Sequence, residues 1–307
     1  MTQRMRHGAF MQMRVQVRVQ ARVLVTVLVI VITSVSCSNQ QRVDTAPQAQ
    51  KGLVFSPPEW PQTLRADLHR PEGDGPHAAV LLVHGGGWAG RSRDDMTGIA
   101  EQLAEAGYVA LNIDYRFAPD YTFPAQLHDL QIAMAWLHDN AETLAIDTAR
   151  IGALGYSSGA HLVSLLGLVA GQGDALDAPY GGAMTRPAAV VAGGTPTDLR
   201  KFRGGGLVPQ FVGATQSEAP QAYVAVSPVS HVHADAPPFL LFHGSLDRTV
   251  PLDHATDFVD ALAAAGGDVT FYQQPRRGHI TSFLLRGGAM EEVLAFFAQH
   301  LGVPDPL

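Results

Sequence analysis

The stretch Arg150-Ile-Gly-Ala-Leu-Gly-Tyr-Ser-Ser-Gly159 is a short apolar run that leads directly into the turn Gly155-Tyr156-Ser157-Ser158-Gly159. A G-x-S-x-G sequence alone is frequent by chance in a glycine-rich chain. Between a strand and a helix, however, it describes a sharp turn that lifts the serine oxygen out of the backbone. The pattern therefore predicts a strand, a turn and a helix, with Ser157 exposed as a nucleophile at the helix N-terminus.

A second glycine-rich loop, His84-Gly85-Gly86-Gly87-Trp88, follows the apolar run at residues 78–83. Glycine allows the backbone to approach a reacting group closely. Preorganised N–H donors aimed at a developing oxyanion contribute roughly 3–4 kcal/mol each. We expect the amides of Gly86, Gly87 and Ser158 to form this oxyanion hole. The spacing does not match a dinucleotide-binding loop, and no lysine follows as a P-loop requires.

Trp88 and Tyr156 are the side chains expected to contact a substrate. Trp88 directly follows the three glycines, so it either forms a wall of the site or supplies an amide in place of Gly87. Tyr156 directly precedes the predicted nucleophile.

Strand-like and helix-like segments alternate from about residue 78 onward, which is typical of a doubly wound α/β sheet. Nearly continuous apolar runs indicate parallel strands covered on both faces. We expect a mostly parallel sheet with helices on both faces, no large cap domain, and an antiparallel edge hairpin within residues 52–70. Residues 171–186 and 200–224 break the pattern and are expected to form loops or short helices near the site. The predicted strands are 78–83, 109–113, 150–154, 188–192, 239–242 and 269–272.

A serine nucleophile needs a base and a group that orients the base. In a hydrolase of this architecture, the acid and the histidine follow the serine in the chain. Asp247 follows the strand predicted at 239–242, and His279 follows the strand predicted at 269–272. They are therefore the predicted acid and base. Asp198 is the competing acid, but it lies farther from His279 in the order of strands.

The other histidines are expected to be structural. His231 and His233 form an H-x-H pair, but no third ligand accompanies them at a recognisable spacing. His161, four residues past the nucleophile, is expected to pack behind the site. We therefore expect no metal site and no organic cofactor.

The composition fits one catalytic domain at residues 51–307, because 307 residues with 46% apolar content can build one large α/β core. Residues 1–37 hold five of the 21 Lys and Arg residues and none of the 28 Asp and Glu residues, which leaves 16 basic residues and a net charge of about −12 for residues 38–307. This acidic balance argues against nucleic acid or an anionic membrane surface as a partner.

Residues 1–37 have the layout of a secretory leader: a basic region, an apolar stretch at 23–32, and small residues before Cys37. The apolar stretch is shorter than the roughly 20 residues that span a bilayer. Cys37 is the only cysteine, which rules out an intrachain disulfide, and it resembles a bacterial lipoprotein processing site. Ordinary cleavage and an uncleaved anchor are the alternatives. We expect an exported protein, with residues 38–50 as a flexible tether and membrane attachment only through the leader or a lipid on Cys37.

The chain resembles the α/β-hydrolase esterases, specifically the feruloyl-esterase-like and hormone-sensitive-lipase-like carboxylesterases. The resemblance implies Ser157, Asp247 and His279 as nucleophile, acid and base, and structural roles for Arg116 and Asp129. Ser158 and Ala160 stand where such enzymes often carry Ala and Gly. The lack of a long N-terminal cap favours the feruloyl-esterase-like branch. The motifs that carry the resemblance are His84–Trp88, 114–119, 123–125, Asp129, Trp136, Asp147, Arg150, 155–161, 196–199, 227–228, 237–238, 243–251 and His279.

The resemblance implies a serine esterase that cleaves carboxylic esters, either short-chain acyl or aryl and carbohydrate-linked ones, through an acyl-enzyme intermediate. Three alternatives stay open at this point. A kynurenine-formamidase-like enzyme would cleave an aryl formamide with the same triad, and a serine peptidase of this fold uses the same chemistry. A non-catalytic binding protein would carry a vestigial triad.

Overall fold

The computed structural model describes residues 48–302, which form one mixed sheet in the order β1-β2-β4-β3-β5-β6-β7-β8. Strand β1 pairs with β2 and β2 pairs with β4 in antiparallel fashion, and all other neighbours are parallel. The strands are β1 (Gln48–Val54), β2 (Arg65–Arg70), β3 (His77–Val83), β4 (Val109–Ile113), β5 (Ile146–Tyr156), β6 (Val190–Gly193), β7 (Phe239–Gly244) and β8 (Val269–Gln274).

Helices cover both faces of this sheet. One apolar core lies between the sheet and a layer that includes Leu130, Leu165 and Phe258, and a second lies on the other face with Leu103 and Phe297. This is the doubly wound α/β architecture that the alternating pattern predicts, and it agrees with the α/β-hydrolase fold that the resemblance implies. Within residues 48–302 the helices are α1 (Thr97–Glu105), α2 (Ala125–Asp139), α3 (Ala141–Leu144), α4 (Ser158–Val169), α5 (Leu207–Val212), α6 (Pro220–Ala225), α7 (Asp253–Ala264), α8 (His279–Leu284) and α9 (Gly287–Leu301).

All six strands predicted from apolar runs are present; β4 has the predicted limits, and the other five differ at one or both ends. β5 starts at Ile146, four residues before the predicted start, because residues 147–150 are partly or fully exposed and carry no apolar pattern. β6 starts at Val190, two residues later than predicted. The edge hairpin predicted within 52–70 is present as β1 and β2.

The sheet begins at Gln48, three residues before the domain boundary predicted at residue 51. The last three residues of the predicted tether therefore belong to β1. The rest of the tether, the predicted leader and Cys37 lie outside the described residues. Across residues 48–302, no helix combines the length and the apolar character needed to cross a bilayer.

The two segments that break the α/β pattern form short elements rather than a cap. Residues 171–186 hold a single 3-10 turn at Ala183–Thr185, and residues 200–224 hold the six-residue helix α5 and part of α6. The loops that follow β3, β5, β7 and β8 all leave from the carboxyl edge of the sheet, because these strands are parallel. Functional residues of open α/β sheets gather at this edge.

Candidate active site

Ser157 occupies the sharp turn between β5 and α4. Its backbone has φ 54° and ψ −121°, a conformation that residues other than glycine rarely adopt. A Cβ on Gly155 would lie 2.4 Å from the Gly159 carbonyl, and a Cβ on Gly159 would lie 2.1 Å from the Val83 carbonyl oxygen. Both glycines of the G-x-S-x-G turn are therefore sterically required. Together they hold the Ser157 side chain at the N-terminus of α4.

His279 bridges the predicted nucleophile and the predicted acid. Its Nε2 lies 2.9 Å from Ser157 Oγ, and its Nδ1 lies 2.6 Å from Asp247 Oδ2. A carboxylate only accepts hydrogen bonds, so Nδ1 carries the proton and Nε2 is free to accept the Ser157 hydroxyl proton. The structure thus brings together the three residues that the sequence predicts as nucleophile, acid and base.

Asp247 is buried and firmly oriented by its own loop. Its Oδ1 accepts hydrogen bonds from the backbone amides of Thr249 and Val250, each at 2.9 Å. Burial by itself would raise the pKa of Asp247, but the hydrogen bond and positive charge of His279 and the amide of Val250 bring that pKa below its usual value. Asp247 is therefore ionised at neutral pH and holds the tautomer of His279.

Asp198, the competing acid, serves another purpose. Its carboxylate binds the Arg200 guanidinium at 2.7 Å and caps the 3-10 turn Leu199–Lys201. It makes no contact with His279 among the described hydrogen bonds. The structure therefore places Asp247, and not Asp198, against the histidine.

The predicted oxyanion loop lies directly beside the nucleophile. A Cβ on Gly85 would lie 3.2 Å from Ser157 Cβ, which is closer than an ordinary van der Waals contact. Gly86 and Gly87 have φ values of 129° and 62°. Within residues 48–302, the backbone N–H groups of Gly86, Gly87 and Ser158 have no hydrogen-bond acceptor. The three predicted donors are thus all free to bind an anionic oxygen.

Tyr115 joins the oxyanion loop to the nucleophile helix. Its hydroxyl donates to the His84 carbonyl at 3.2 Å and lies 3.3 Å from Ser158 Oγ. Its ring stacks on the His84 imidazole with centroids 4.5 Å apart. His84 donates from Nδ1 to the Gly85 carbonyl at 2.6 Å, and burial lowers its pKa. His84 therefore braces the loop as a neutral side chain.

Trp88 lies in a different environment from the one expected of a substrate contact. It is 3% exposed, and its ring stacks on Phe211 with centroids 4.5 Å apart. Its indole N–H donates to His161 Nδ1 at 3.2 Å, while His161 Nε2 donates to the Val226 carbonyl at 2.7 Å. Burial lowers the pKa of His161 to about 3, so the imidazole is neutral and Nδ1 is an acceptor. Trp88 therefore anchors the oxyanion loop to α4.

Tyr156 likewise faces the protein interior instead of an open site. Its side chain is buried, and its hydroxyl donates to the backbone carbonyl of His279. Gly194, with φ 55°, leaves space beside this contact: a Cβ there would lie 3.0 Å from Tyr156 Oη and 3.2 Å from His279 Cε1. This placement indicates that Tyr156 positions the histidine, and substrate contact by Tyr156 stays a prediction.

Arg116 and Asp129 form a buried ion pair, in keeping with the structural roles implied by the resemblance. Arg116 Nε lies 2.8 Å from Asp129 Oδ1, and Trp60 Nε1 donates to the same carboxylate at 2.8 Å. Burial raises the pKa of Asp129 to about 6, although the Arg116 charge opposes this shift. The pair ties the loop after β4 to helix α2.

Leu207, on α5, is one of the apolar residues of the segment 200–224, which the sequence predicts to lie near the site. It is about half exposed, and its Cδ1 lies 3.0 Å from where a Cβ on Gly87 would stand. An apolar side chain therefore rests on one of the predicted oxyanion donors. The sequence holds no signal for this contact beyond the apolar residues of the segment 200–224. Within residues 48–302, no three His, Cys, Asp or Glu side chains lie close enough together to hold a metal ion.

Solved structures with this fold include a truncated carbohydrate esterase from gut microbiota, with a TM-score of 0.72, 22% identity, and coverage of 84% of this chain and 98% of that one. Another is Thermogutta terrifontis esterase 2 phosphonylated by sarin, with a TM-score of 0.72, 23% identity, and coverage of 85% and 98%. At these identities the likeness establishes the fold.

Among curated proteins, esterase LipC of Mycobacterium tuberculosis is 32% identical over 239 residues, which covers 74% of this chain and 59% of LipC. The probable carboxylic ester hydrolase LipM of the same organism is 30% identical and covers 76% and 58%. The chain thus spans about three fifths of the length of these relatives. The BD-FAE family model matches residues 66–262, which is more than half of the chain. The fold, the site geometry and this match together establish that the chain belongs to the BD-FAE family.

Proposed function

We propose that this protein is a serine hydrolase that cleaves carboxylic esters. The observation that carries the proposal is the continuous hydrogen-bond chain from Ser157 through His279 to Asp247, beside three unpaired backbone N–H groups. A nucleophile, a base, an orienting acid and an electrophilic cradle are the four parts that acyl transfer requires. Curated relatives named as an esterase and a probable carboxylic ester hydrolase support an ester as the substrate.

The geometry suggests the following sequence of steps. Ser157 Oγ attacks the ester carbonyl while His279 Nε2 takes its proton. The amides of Gly86, Gly87 and Ser158 bind the oxyanion that forms. The folded loop already holds these N–H groups in place, so little reorganisation is needed during the reaction. His279 then protonates the leaving alcohol, and a water molecule releases the acid by the same steps in reverse. Asp247 stabilises the imidazolium throughout.

The absence of a large cap over the carboxyl edge of the described domain supports substrates with an accessible acyl group. We place short-chain acyl esters and aryl or carbohydrate-linked esters in this class. The apolar side chain of Leu207 beside Gly87 supports an apolar portion next to the scissile carbonyl. The esterase names of the relatives favour esters over formamides.

The test is loss of activity on substitution of the nucleophile. Ser157→Ala is expected to abolish hydrolysis of p-nitrophenyl acetate and labelling by a fluorophosphonate probe, and to leave the circular dichroism spectrum unchanged. Ser230→Ala, at an exposed serine of the 3-10 turn Pro228–His231, is the matched control and keeps both activities. Hydrolysis or labelling that survives in Ser157→Ala would contradict the mechanism.

We also propose that the protein is exported, and that Cys37 receives a lipid. The support is the layout of residues 1–37, with its basic region, apolar stretch and single cysteine. Expression in a Gram-negative host followed by mass spectrometry tests this. A mature chain that begins at a lipid-bearing Cys37 is expected. A chain that keeps residues 1–37 and stays in the cytoplasm would contradict the proposal.

A further inference from the structure

Four large aliphatic side chains are exposed next to Asp247 and in the segment that follows His279. Leu246 precedes Asp247 and is 61% exposed, while Ile280, Leu284 and Leu285 follow His279 and are 65%, 62% and 52% exposed. Ile280 and Leu284 are four residues apart on α8, so they share one face of that helix. The Leu246 amide donates to the Arg277 carbonyl at 2.8 Å, which joins the two loops. We call this surface, defined by the four aliphatic residues, the α8 patch.

Three arginines lie in the same two loops. Arg248 and Arg276 are exposed and Arg277 is partly exposed. Their guanidinium groups have no ion-pair or hydrogen-bond partner within the described part of the chain, unlike Arg116, whose guanidinium pairs with an aspartate. The acid in these loops, Asp247, is buried against His279. The α8 patch therefore combines exposed aliphatic surface with unpaired positive charge.

A cavity of about 260 Å³ opens beside the patch. Arg276, Arg277 and Leu285 line it together with Gln274 and with Gly288 at the N-terminus of α9. Gln274 is 4% exposed, and its Oε1 has no hydrogen-bond partner in the described structure. Two arginine residues at the wall of this cavity suit a phosphate.

The chemistry of the α8 patch matches that of an anionic lipid surface. Aliphatic side chains enter the boundary between headgroups and acyl chains, and basic residues beside them bind anionic headgroups. Interfaces with proteins rely more on aromatic anchors, and the four side chains of the patch are all aliphatic. The net charge of the chain opposes such binding. At physiological salt, however, charges more than about 8 Å from the surface are largely screened.

From these observations we infer that the α8 patch docks the protein on an anionic lipid surface, with a lipid phosphate held by Arg276 and Arg277. This contact is separate from the predicted leader and from a lipid on Cys37, and it revises the expectation that the acidic balance excludes anionic membranes. Docking here sets the loops of Asp247 and His279 against the lipid. It would give the neighbouring Ser157 access to esters held in a membrane or micelle.

Vesicle co-sedimentation in a Ser157→Ala background tests the inference independently of the proposed activity. The protein is expected to sediment more strongly with phosphatidylcholine vesicles that contain about one third phosphatidylglycerol than with phosphatidylcholine alone. Each basic residue at such a surface contributes about five-fold in partitioning, so Arg276→Gln with Arg277→Gln lowers it about 25-fold. Ile280→Ser with Leu284→Ser lowers it by at least about ten-fold, because about 0.8 kcal/mol is lost for each methylene withdrawn from the lipid and two methylenes already exceed that factor. About 0.5 M NaCl is expected to release the protein that carries the unchanged α8 patch from the anionic vesicles.

Matched controls come from β1 and β2, at the opposite edge of the sheet. Val54→Ser replaces an apolar residue that is 48% exposed, and Arg70→Gln removes a partly exposed charge; neither is expected to change sedimentation. Because all variants keep residues 1–47, their differences report on the patch. Equal sedimentation with neutral and anionic vesicles, or unchanged binding in the two double variants, would overturn the inference. A dimer that dissociates in Ile280→Ser/Leu284→Ser, without vesicle binding, would instead assign the patch to a second copy of the chain.

Discussion

The buried imidazole of His161 contributes to the pH dependence of folding stability. A single substitution is expected to remove this contribution and to keep the hydrogen bonds of the side chain. His161 accepts from the Trp88 indole and donates to the Val226 carbonyl, at 3.2 Å and 2.7 Å. A glutamine at this position reaches the same two partners, because its amide oxygen accepts and its amide N–H donates. Glutamine, however, does not titrate. His161→Gln therefore separates the charge of the imidazole from its hydrogen bonds.

The magnitude follows from the two states of the imidazole. Burial lowers the pKa of His161 to about 3 in the folded chain, whereas an unfolded histidine titrates near a pKa of about 6.5. The unfolded chain therefore binds the proton more readily, and folding stability falls as the pH drops from about 6.5 towards 3. At pH 5 this histidine alone costs about 2 kcal/mol relative to neutral pH.

Urea unfolding at pH 7 and pH 5 measures the difference. The parent is expected to lose about 2 kcal/mol more than His161→Gln between the two pH values. Other buried histidines, such as His254 with a pKa lowered to about 4, contribute equally to both proteins and cancel. His161→Leu is the contrasting variant: it leaves the indole N–H and the carbonyl unpaired, at about 1–3 kcal/mol each, at both pH values. Identical pH dependence in parent and His161→Gln would refute the reasoning.

Three further substitutions test the site. Leu207→Ala removes the apolar contact beside Gly87 and is expected to lower kcat/KM for p-nitrophenyl butyrate about four-fold more than for the acetate, which corresponds to the loss of one buried methylene at about 0.8 kcal/mol; an unchanged ratio would contradict this role. Tyr156→Phe leaves the His279 carbonyl unpaired and is expected to lower kcat about ten-fold with KM unchanged, whereas a change in KM alone would indicate substrate contact. Asp247→Asn is expected to lower kcat by on the order of 10⁴-fold at unchanged melting temperature, because the amide no longer fixes the histidine tautomer; retention of a tenth of the parent rate would rule this out.

Much of the fold can be read from the sequence because parallel strands in this sheet are buried on both faces. β3 and β4 are almost continuous apolar runs, and their predicted limits lie within one residue of the observed ones. Where a strand is buried on one face only or is exposed, the sequence lacks the continuous apolar run that predicts a strand. Residues 147–150 of β5 are partly or fully exposed, so the apolar pattern misses this part of the strand.

The residues of the candidate site also differ in how well the sequence predicts their roles. Ser157, Asp247 and His279 can be predicted because each directly follows a recognisable strand, and their meeting follows from parallel topology. The roles of Trp88 and Tyr156 could not be predicted in this way. Their partners lie 73 and 123 residues away in the chain, and only the packed structure decides where these side chains turn.

The position of β8 has a consequence for how the proposed activity would be lost on unfolding. β8 is the last strand of the sheet and pairs only with β7, and most of its residues are partly exposed, in contrast to the buried strand β3. Peripheral elements of this kind open at a lower free energy than the interior of a domain. Because the loop after β8 carries His279, fraying at this edge would disconnect the base while the nucleophile turn stays folded. Ester hydrolysis should therefore vanish at a lower denaturant concentration than the global unfolding signal, and tightening the β7–β8 edge would protect activity more than strengthening the core.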